Sequence, residues 1–583
     1  MIDDVHEPLG QYSSRFRSAH LQNTAEFFED LVRRSGVDEE ANARTVAELR
    51  KLERLAADTG SSSKAWRTVR GFCWILAVLA ALYVINYHSW PWLAVPVIAA
   101  APVIHWLNGR IRDADAEVKR LQKACDEKRS EAWGQTAPLN RLFDWDIVAK
   151  LMQKTVPRIA FDPYFSNGRM EELRNSFGYG GDLGGDQSIV FSHSGVLNGN
   201  PFILARTLSH WMGSKTYHGS LNISWTEQHR NSKGEWETTT RHETLHASIE
   251  RPFPEYENRT LIIYGNEAAP DLVFSRNPSK LSELGDGMFG RWKKNRAIRK
   301  LEDRSRAVGA THNFTVMANR EFDALFDATD RNHEVQFRLL FTPLAQQEML
   351  KLLKDNEAGF GDTCVFEKTQ MINVVEPGHM HGTDISGDPA KFYDYELARA
   401  RRFFNDYHNT FFRSFYFGIA PLLAIPLYQQ HRPHADIYKG TYSHKPCFWE
   451  HESIANYHGE KVFNHPECVT RSILKTTTQQ EADRSQKVRV TASGFGSVGR
   501  TDYVSVHGGD GHIHRVPVHW DEYFEVENST DMLVQEAASP GEVPGDAGTE
   551  GNKVALPAAF SERGIDGGNT VLRRSILSAV LPA

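Results

Sequence analysis

Cysteine is scarce in this chain, with five in 583 residues, and neither sign of charge is in large excess. Five cysteines do not form the kind of disulfide framework that holds small secreted domains together. The 67 basic and 74 acidic residues are interspersed and leave a net charge of −7, which excludes the basic footprint of a nucleic-acid-binding protein. A G-x-x-x-x-G-K-[ST] loop, a G-x-S-x-G elbow and a kinase signature are also missing, so the sequence favours a non-catalytic role.

Two apolar runs, Gly71 to Tyr87 and Trp90 to Leu107, are the most prominent positive feature. They contain no Asp, Glu, Lys or Arg, and each would span roughly 26 Å as a helix. Basic residues outside both ends place these ends in the cytoplasm by the positive-inside rule. The sequence therefore predicts a transmembrane helical hairpin at residues 64–112 of a multi-pass bacterial inner-membrane protein, with most of the chain cytoplasmic. A hairpin buried in a large core is the alternative.

Helical patterns flank these runs on both sides. In the N-terminal cytoplasmic helices at residues 1–63, Gly36 breaks one helix, Asp38 can cap the next, and Gly60 with three serines is expected to end it. From Ile104 to Cys125, apolar residues recur at alternating spacings of three and four, which is typical of a coiled coil. This pattern predicts a stalk at 113–135. Its partner is either the preceding helix of the same chain or the same helix of a second protomer.

Beyond residue 140 the pattern becomes mixed. We predict an α+β cytoplasmic region at 140–390, a second β-rich region with a His/Cys cluster at 391–535, and a flexible tail at 536–583. Alternation around Leu221 to Trp225 and Leu245 to Ile249 indicates a β-hairpin. His333 to Phe341 resembles a strand, and Pro343 to Asp355 an amphipathic helix.

Two further segments are open to interpretation. Ser414 to Tyr428 is apolar but short for a spanning helix, so it is expected to be a buried or interfacial segment. A true third span there would make the protein a transport or pore component. Arg573 to Val580 is expected to form a terminal helix.

The chain resembles a family of uncharacterised bacterial membrane proteins with two N-terminal transmembrane helices and a cytoplasmic α+β domain. The likeness rests on the hairpin and on Phe314 to Phe366, where a strand, an Arg-Leu-Leu-Phe-Thr-Pro turn at Arg338 to Pro343 and a Leu-rich helix follow one another. The resemblance implies location and architecture, and no activity.

Two H-x2-C pairs with 17 residues between them are the stronger metal-binding pattern. The residues are His444, Cys447, His465 and Cys468. Imidazole and thiolate groups from two tight turns can close a tetrahedral structural zinc site. Zinc is therefore the cofactor that the sequence suggests, and ordinary loop and core residues of a histidine-rich chain are the alternative.

His242-Glu-Thr-Leu-His246 matches the H-E-x-x-H zinc-protease pattern, which requires a helix to bring both histidines onto one face. The surrounding residues alternate as in a strand, where the two histidines would be about 13 Å apart. Gly494 to Gly499 fits a dinucleotide fingerprint, but another strand-like segment follows it, so a glycine-rich β-turn is favoured. His512 and His514 could share one face and bind metal, although surface histidines are the commoner outcome.

Taken together, these patterns predict a membrane-anchored α+β fold made of N-terminal helices, a transmembrane helical hairpin, a coiled-coil stalk and β-rich cytoplasmic domains. The predicted function is that of a membrane-tethered scaffold or binding module without a catalytic site. Its expected partners are the lipid bilayer, other proteins and a second protomer through the stalk, but not nucleic acid. A membrane-bound zinc hydrolase that uses His242, Glu243 and His246 is the alternative.

Overall fold

The computed structural model describes residues 7–86, 94–181, 183–230, 234–282, 284, 287–307, 315–429, 445–482, 485–536 and 570–581. For residues 77, 80–86, 94–101, 289 and 304–307 it describes the backbone alone. The described chain forms an α+β fold with two antiparallel sheets.

The helices are α1 Pro8–Gln11, α2 Arg17–Ser35, α3 Glu39–Asn86, α4 Ala94–Asn140, α5 Ile147–Thr155, α6 Asn167–Phe177, α7 Met288–Ala307, α8 Arg320–Phe326, α9 Glu334–Leu340, α10 Pro343–Lys354, α11 Leu397–Leu423, α12 Phe448–His458 and α13 Glu460–Phe463. One π-helical turn, Tyr12–Phe16, separates α1 from α2. Short 3₁₀ turns occupy Gly378–Met380, Pro389–Phe392 and Pro426–Gln429.

The strands are β1 Ile159–Phe161, β2 Gln187–Leu197, β3 Asn200–Arg230, β4 Trp236–Gly265, β5 Val273–Arg276, β6 Cys364–Thr369, β7 Ile372–Pro377, β8 Ile473–Glu481, β9 Ser485–His507, β10 Ile513–Glu536, β11 Thr570–Arg573 and β12 Ile576–Val580. The seven-stranded sheet has the order β1-β2-β3-β4-β7-β6-β5, and the five-stranded sheet has the order β11-β12-β10-β9-β8. All the strand pairs are antiparallel.

The chain divides into two compact units. The first comprises Met1–His20, Val148–Ser386 and Phe411–Ala583, and it contains both sheets. The second comprises Leu21–Ile147 and Gly387–Thr410. The domain boundaries read from the sequence remain predictions.

The second unit is built around the antiparallel pair α3 and α4. Side chains join the two helices at Asn42–Gln135, Glu53–Arg129, Ser63–Asp115 and Arg70–Asn108, so that residue numbers rise along one helix as they fall along the other. Residues of the predicted seam, from Ile104 to Cys125, are buried or half-buried. The helix that pairs with the predicted stalk is thus the preceding helix of the same chain.

The start of α3 follows the sequence prediction, but its end does not. Gly36 has a φ of +66°, and the Asp38 carboxylate accepts a hydrogen bond from the Ala41 amide at 3.0 Å. The helix then continues through Gly60 and the three serines to Asn86. Ser63 is buried there and donates a hydrogen bond to Asp115 of α4 at 2.6 Å, so packing against α4 overrides the weak local helix propensity.

The predicted membrane-anchored fold is wrong. Among the residues that the structure describes, no helix combines the length and the apolar composition needed to cross a bilayer. The described parts of the two apolar runs, residues 71–86 and 94–107, are the ends of continuous helices of 48 and 47 residues whose remaining turns carry many charged side chains. The transmembrane hairpin at 64–112, the multi-pass inner-membrane location and the predicted function of a membrane-tethered scaffold or binding module are therefore also wrong. His88 and Ser89 lie outside the described residues.

Several local assignments can be compared with the structure. The β-hairpin is confirmed and longer than expected, because β3 and β4 pair from Phe202 to Arg230. The helix at Pro343–Lys354 is confirmed, with Thr342 as its N-cap. His333 to Phe341 forms a helix, not a strand, and Arg573 to Val580 belongs to the strand pair β11–β12, not to a helix.

The apolar segment from Ser414 to Tyr428 is buried, as the sequence indicated, and does not support a pore component. Most of it forms the C-terminal half of α11, and Phe415, Tyr416 and Ile419 are at most 1% exposed. The structure describes no residue of the tail between 537 and 569, and strands β11 and β12 lie within the remainder.

Two long β-ribbons dominate the first unit and position the candidate site. We call the pair β3–β4 ribbon 1 and the pair β9–β10 ribbon 2. Where the two ribbons extend past the other strands of their sheets, they pack face to face around a small apolar cluster that includes Leu245, Ala247, Val516 and Val518. Gly219 allows this close approach, because a Cβ atom there would come within 2.1 Å of the Pro517 carbonyl oxygen.

Candidate functional site

The candidate site is an open groove of about 1140 Å³ in the first unit, next to the place where the two ribbons pack together. Ribbon 1 contributes Trp211 and Phe253 to Glu257, and ribbon 2 contributes Tyr523. The opposite wall consists of α13 and the segment 464–471. We call this cleft the aromatic groove. Its volume slightly exceeds the usual range for a small-molecule pocket and is large enough for a short extended chain.

Strand alternation explains why these residues face one another. Trp211, Phe253 and Glu255 occupy alternate positions on paired strands, in the register Trp211 with Glu255, and therefore project from one face of ribbon 1. Trp211 is 44% exposed, an unusual amount for so large an apolar side chain. The rings of Phe253 and Tyr523 meet edge to face, with centroids 5.5 Å apart and planes at 88°. The groove thus has rigid aromatic walls from both ribbons.

A cation already lies against one of these walls. The Lys215 ammonium is 4.9 Å from the centroid of the Phe253 ring and 5.1 Å from that of Tyr217. The face of an aromatic ring carries negative electrostatic potential, which attracts such a cation. The aromatic walls therefore suit cationic groups.

The carboxylates of the groove differ in their partners. Glu460 forms a 2.6 Å ion pair with Arg471, and Glu257 forms a 2.9 Å pair with Arg259. No basic side chain among the described residues pairs with Glu255, which lies over Gly213. A Cβ atom at Gly213 would come within 2.5 Å of a Glu255 carboxylate oxygen, so a side chain there would displace the carboxylate from this position.

Hydrogen bonds fix the segment opposite ribbon 1. The Tyr256 hydroxyl lies 2.9 Å from both Thr470 Oγ1 and the Arg471 carbonyl oxygen. Thr470 Oγ1 also accepts a hydrogen bond from the Phe495 amide at 3.0 Å, and the Val469 amide bonds to the Phe495 carbonyl at 2.9 Å. The segment is therefore tied to both ribbons, and little of the groove has to be ordered when a ligand binds.

The phenols of the groove are neutral at physiological pH. Burial raises the pKa of Tyr256 above its usual value. Burial also raises the pKa of Tyr523, with a further contribution from the neighbouring Tyr217. Both side chains consequently act as uncharged walls and hydrogen-bonding groups.

The structure brings two of the four predicted zinc ligands into this groove. The Cys468 amide donates to the His465 carbonyl at 2.9 Å, and the Glu467 amide donates to His465 Nδ1 at 3.2 Å, which closes a tight turn. The Cys468 sulfur lies 3.4 Å from Ser472 Oγ. His465 and Cys468 both line the aromatic groove.

The other two predicted ligands are placed differently. Cys447 is fully buried in an apolar cluster with Phe165 and Trp449, and burial raises its pKa, which opposes the thiolate form that zinc needs. His444 lies outside the described residues. Within the described part of the chain, no group of three or more His, Cys, Asp and Glu residues could hold a metal ion. The four-residue zinc site therefore stays a prediction.

The H-E-x-x-H segment lies in β4, as the alternation indicated. His242 pairs with Ser224 and His246 pairs with Ser220, so the two histidines are four strand residues, about 13 Å, apart. They cannot both ligate one zinc ion at about 2 Å. Glu243 instead accepts a hydrogen bond from the Gly509 amide of ribbon 2. The zinc-hydrolase alternative is wrong because it requires a helix here.

The remaining motifs are parts of ribbon 2. Gly494 to Gly499 lies within β9, and no helix N-terminus follows it that could cradle phosphate. His514 bonds to the Asp510 carboxylate at 2.9 Å in the turn that joins β9 and β10. His519 hydrogen-bonds with Thr501 at 2.8 Å. These contacts give the histidines structural roles.

Sequence reasoning missed most of the groove. Trp211, Phe253, Glu255 and Tyr523 come from three strands that are distant in the sequence, and no short motif joins them. Strand alternation in the sequence could have shown which residues share one face of ribbon 1. It could not have shown that ribbon 2 and the segment 464–471 lie next to that face.

Comparisons with known proteins add no assignment: no family model, no curated protein and no solved structure matches this chain. The resemblance based on Phe314 to Phe366 has no support from a family match. Phe314 itself lies outside the described residues, and the turn region is helical from Glu334 to Leu340.

Proposed function

We propose that this protein binds an extended basic peptide segment in the aromatic groove. The observation that carries the proposal is the placement of the Glu255 carboxylate beside the exposed ring of Trp211, with no basic side chain of the described residues paired to that carboxylate. A carboxylate next to aromatic faces favours a guanidinium or ammonium group.

The geometry supports a peptide in preference to a compact small molecule. The groove is open and has a volume of about 1140 Å³, which exceeds what a compact small molecule fills. Tyr256 and Thr470 bond to each other and hold the wall in place. The ion pair between Glu460 and Arg471 balances two charges of the far wall, and Lys461 adds a positive charge there. A bound cation is therefore attracted chiefly to the side of ribbon 1.

The proposal can be tested with fluorescein-labelled (Arg-Gly)4 by fluorescence anisotropy at physiological salt, with (Glu-Gly)4 as the charge-reversed probe. We expect saturable binding of the basic peptide alone. Glu255→Gln and Trp211→Ala should each weaken binding by about five- to thirtyfold, equivalent to 1–2 kcal/mol for a cation–aromatic or carboxylate contact.

Ribbon 1 offers matched controls for both changes. Glu237→Gln removes the same charge from an exposed position on the same strand, and Trp236→Ala removes an exposed indole near the end of the ribbon. Both should leave the affinity unchanged. Equal losses in Glu237→Gln and Glu255→Gln would show that the peptide responds to overall charge and not to the groove, and the proposal would fail.

A further inference from the structure

Helix α7 has a strongly basic outer surface, although the chain as a whole is acidic. Between residues 291 and 303, five exposed side chains are basic and one is acidic. The basic residues are Arg291, Lys293, Arg296, Arg299 and Lys300. Because the net charge of the chain is −7, this surface is a local concentration of positive charge and does not follow from the overall composition.

The opposite side of α7 is fixed to the rest of the first unit. Leu301 and Lys294 are both buried there. The Lys294 ammonium lies 3.8 Å from the Glu321 carboxylate of α8, and Glu302 forms a 2.8 Å ion pair with Arg320 of the same helix. The inward side thus has its own partners, so one side of the helix consistently faces outward.

The outer cations are poorly balanced by the protein itself. Among the described residues, no acidic side chain forms an ion pair with Lys293, Arg296, Arg299 or Lys300. Several of these residues are three or four positions apart, and like charges at that spacing destabilise a helix. An anionic surface that covers α7 would relieve this repulsion.

Two large apolar side chains lie in the middle of the basic surface. Met288 is 87% exposed, and Trp292, one turn later, is 57% exposed. At about 100° per residue, Arg291 and Lys293 lie on opposite sides of Trp292 around the helix. The Arg296 guanidinium is 5.8 Å from the centroid of the Trp292 ring. The outer surface of α7 therefore has an apolar centre with cations on both flanks.

This arrangement suits a phospholipid surface better than a soluble polyanion. Long basic side chains can reach anionic headgroups from the flanks of a helix that lies flat on a bilayer. An indole at the centre of such a helix can enter the region of the headgroups, where tryptophan is enriched. A soluble polyanion offers charge, but it offers no continuous apolar layer for both Met288 and Trp292.

We propose that α7 binds the surface of a bilayer that contains anionic phospholipids. The helix lies along this surface and does not cross it. Its cations pair with the headgroups, while Met288 and Trp292 enter the layer between the headgroups and the acyl chains. The contact is peripheral, and it is independent of the aromatic groove, which is lined by residues of other elements.

The test is sedimentation of the full chain with vesicles at physiological salt, made of phosphatidylcholine alone or with about 30% phosphatidylserine. We expect binding to the mixed vesicles alone. Each basic residue at an anionic surface strengthens binding about fivefold, so Arg296→Gln/Arg299→Gln should weaken it about thirtyfold. Circular dichroism should be unchanged, because both side chains are exposed.

Ribbon 2 supplies the matched control for charge. Arg500→Gln/Arg515→Gln removes the same charge from exposed positions on β9 and β10 and should leave vesicle binding unchanged. Equal losses in the two double variants would show that the vesicles respond to overall charge and not to α7, and the proposal would fail. A chain that does not bind the mixed vesicles would also overturn it.

The apolar centre of the surface is tested separately. Trp292→Ala should weaken binding to the mixed vesicles about fivefold, because the indole no longer enters the headgroup layer. Trp236→Ala, which removes an exposed indole from ribbon 1, should not change it. Undiminished binding by Trp292→Ala would overturn the proposal, and displacement of the protein from the vesicles by polyuridylate would then identify a soluble polyanion as the occupant.

Discussion

The helical hairpin formed by α3 and α4 and the paired ribbons both consist of long antiparallel elements, but they differ in how much apolar surface they expose. The outer face of ribbon 1 carries alternating polar side chains such as His218, Ser220, Asn222 and Ser224, whose neighbours in sequence point inward. The hairpin exposes Phe72, Ile75 and Leu79. On ribbon 1 the exposed large apolar side chains are few, namely Trp211, Met212 and Trp236, whereas on α3 they lie close together between Phe72 and Leu79.

The difference follows from backbone geometry. A ribbon has two faces with a period of two, so burying one face against ribbon 2 assigns every alternate residue to solvent. A helix satisfies its backbone hydrogen bonds internally and can present apolar side chains in several directions. One helix can therefore contact an intrachain partner with one face and a second partner with another face. Each ribbon, in contrast, uses its one apolar face to contact the other ribbon.

The two units also differ in how they use ion pairs, and this gives the largest predicted effect. Arg573 is 2% exposed and forms a 2.7 Å pair with the fully buried Glu450. Arg573→Met should lower the free energy of unfolding by about 3–5 kcal/mol, because a buried carboxylate loses its counter-ion. Urea denaturation followed by tryptophan fluorescence measures the loss.

The helical hairpin supplies the control for this change. Arg129–Glu53 is also a 2.8 Å pair, but both side chains are 41% exposed, so Arg129→Met should cost less than about 1 kcal/mol. The double variant Arg573→Met/Glu450→Gln should recover part of the loss. Equal effects at Arg573 and Arg129 would contradict the contrast between the units.

Acid should weaken the first unit through His451. Burial lowers the pKa of this histidine from 6.5 to about 4. Its Nε2 lies 3.0 Å from Gln486 Oε1, while its buried Nδ1 has no hydrogen-bond partner among the described residues. Between pH 6.5 and 4 the unfolded chain binds more protons than the folded one. Stability should therefore fall as the pH falls through this window, by about 3 kcal/mol for this group.

Thermal unfolding at several pH values between 7 and 4 measures this dependence. His451→Gln should reduce the decline in that window by the contribution of this one group, because burial also lowers the pKa of His193, His379 and His458. His242→Gln, a change at an exposed position on ribbon 1, should leave the decline unaltered. A pH profile that is the same in His451→Gln and in the unmodified chain would exclude His451 as a source of the acid sensitivity.

The smallest predicted effect tests the contact between the ribbons. Gly219→Ala places a methyl group 2.1 Å from the Pro517 carbonyl oxygen and 2.9 Å from the Val518 side chain. The ribbons must separate, so we expect a loss of about 1–3 kcal/mol. Hydrogen exchange should become faster in both ribbons. Ser220→Ala, on the outer face, should change neither quantity, and an equal response in the two variants would mean that the ribbons do not depend on this contact.

Local sequence signals predicted those elements whose causes are local. Asp38 caps α3, the amphipathic pattern from Pro343 marks α10, and alternation from Leu221 to Ile249 marks the hairpin of ribbon 1. The same signals were wrong where distant contacts dominate. Gly60 does not end α3, because the helix packs against α4, and residues 334–340 form a helix capped by His333 despite their strand-like pattern.

The membrane prediction shows the limit of reading hydrophobicity without structure. A run of apolar residues indicates that its side chains are shielded from water, but it does not indicate which surface shields them. In the structure, Ile104, Leu107 and Ile111 turn towards α3, and Ser414 to Tyr428 lies in the interior of the protein. Apolar composition is a local property, whereas the covering surface depends on the whole fold.

The sequence by itself determined the α+β class, the strand alternation of the His242–His246 segment, the Asp38 cap of α3 and the β-hairpin of ribbon 1. These features depend on residues within a few positions of one another. Only the tertiary structure decided that Trp211, Glu255, Tyr523 and Cys468 share one groove, and that Val69, Phe72, Leu76 and Leu79 remain uncovered by α4. Both outcomes depend on contacts between segments far apart in the chain, and hydrophobic and electrostatic contacts of that range leave no short pattern in the sequence.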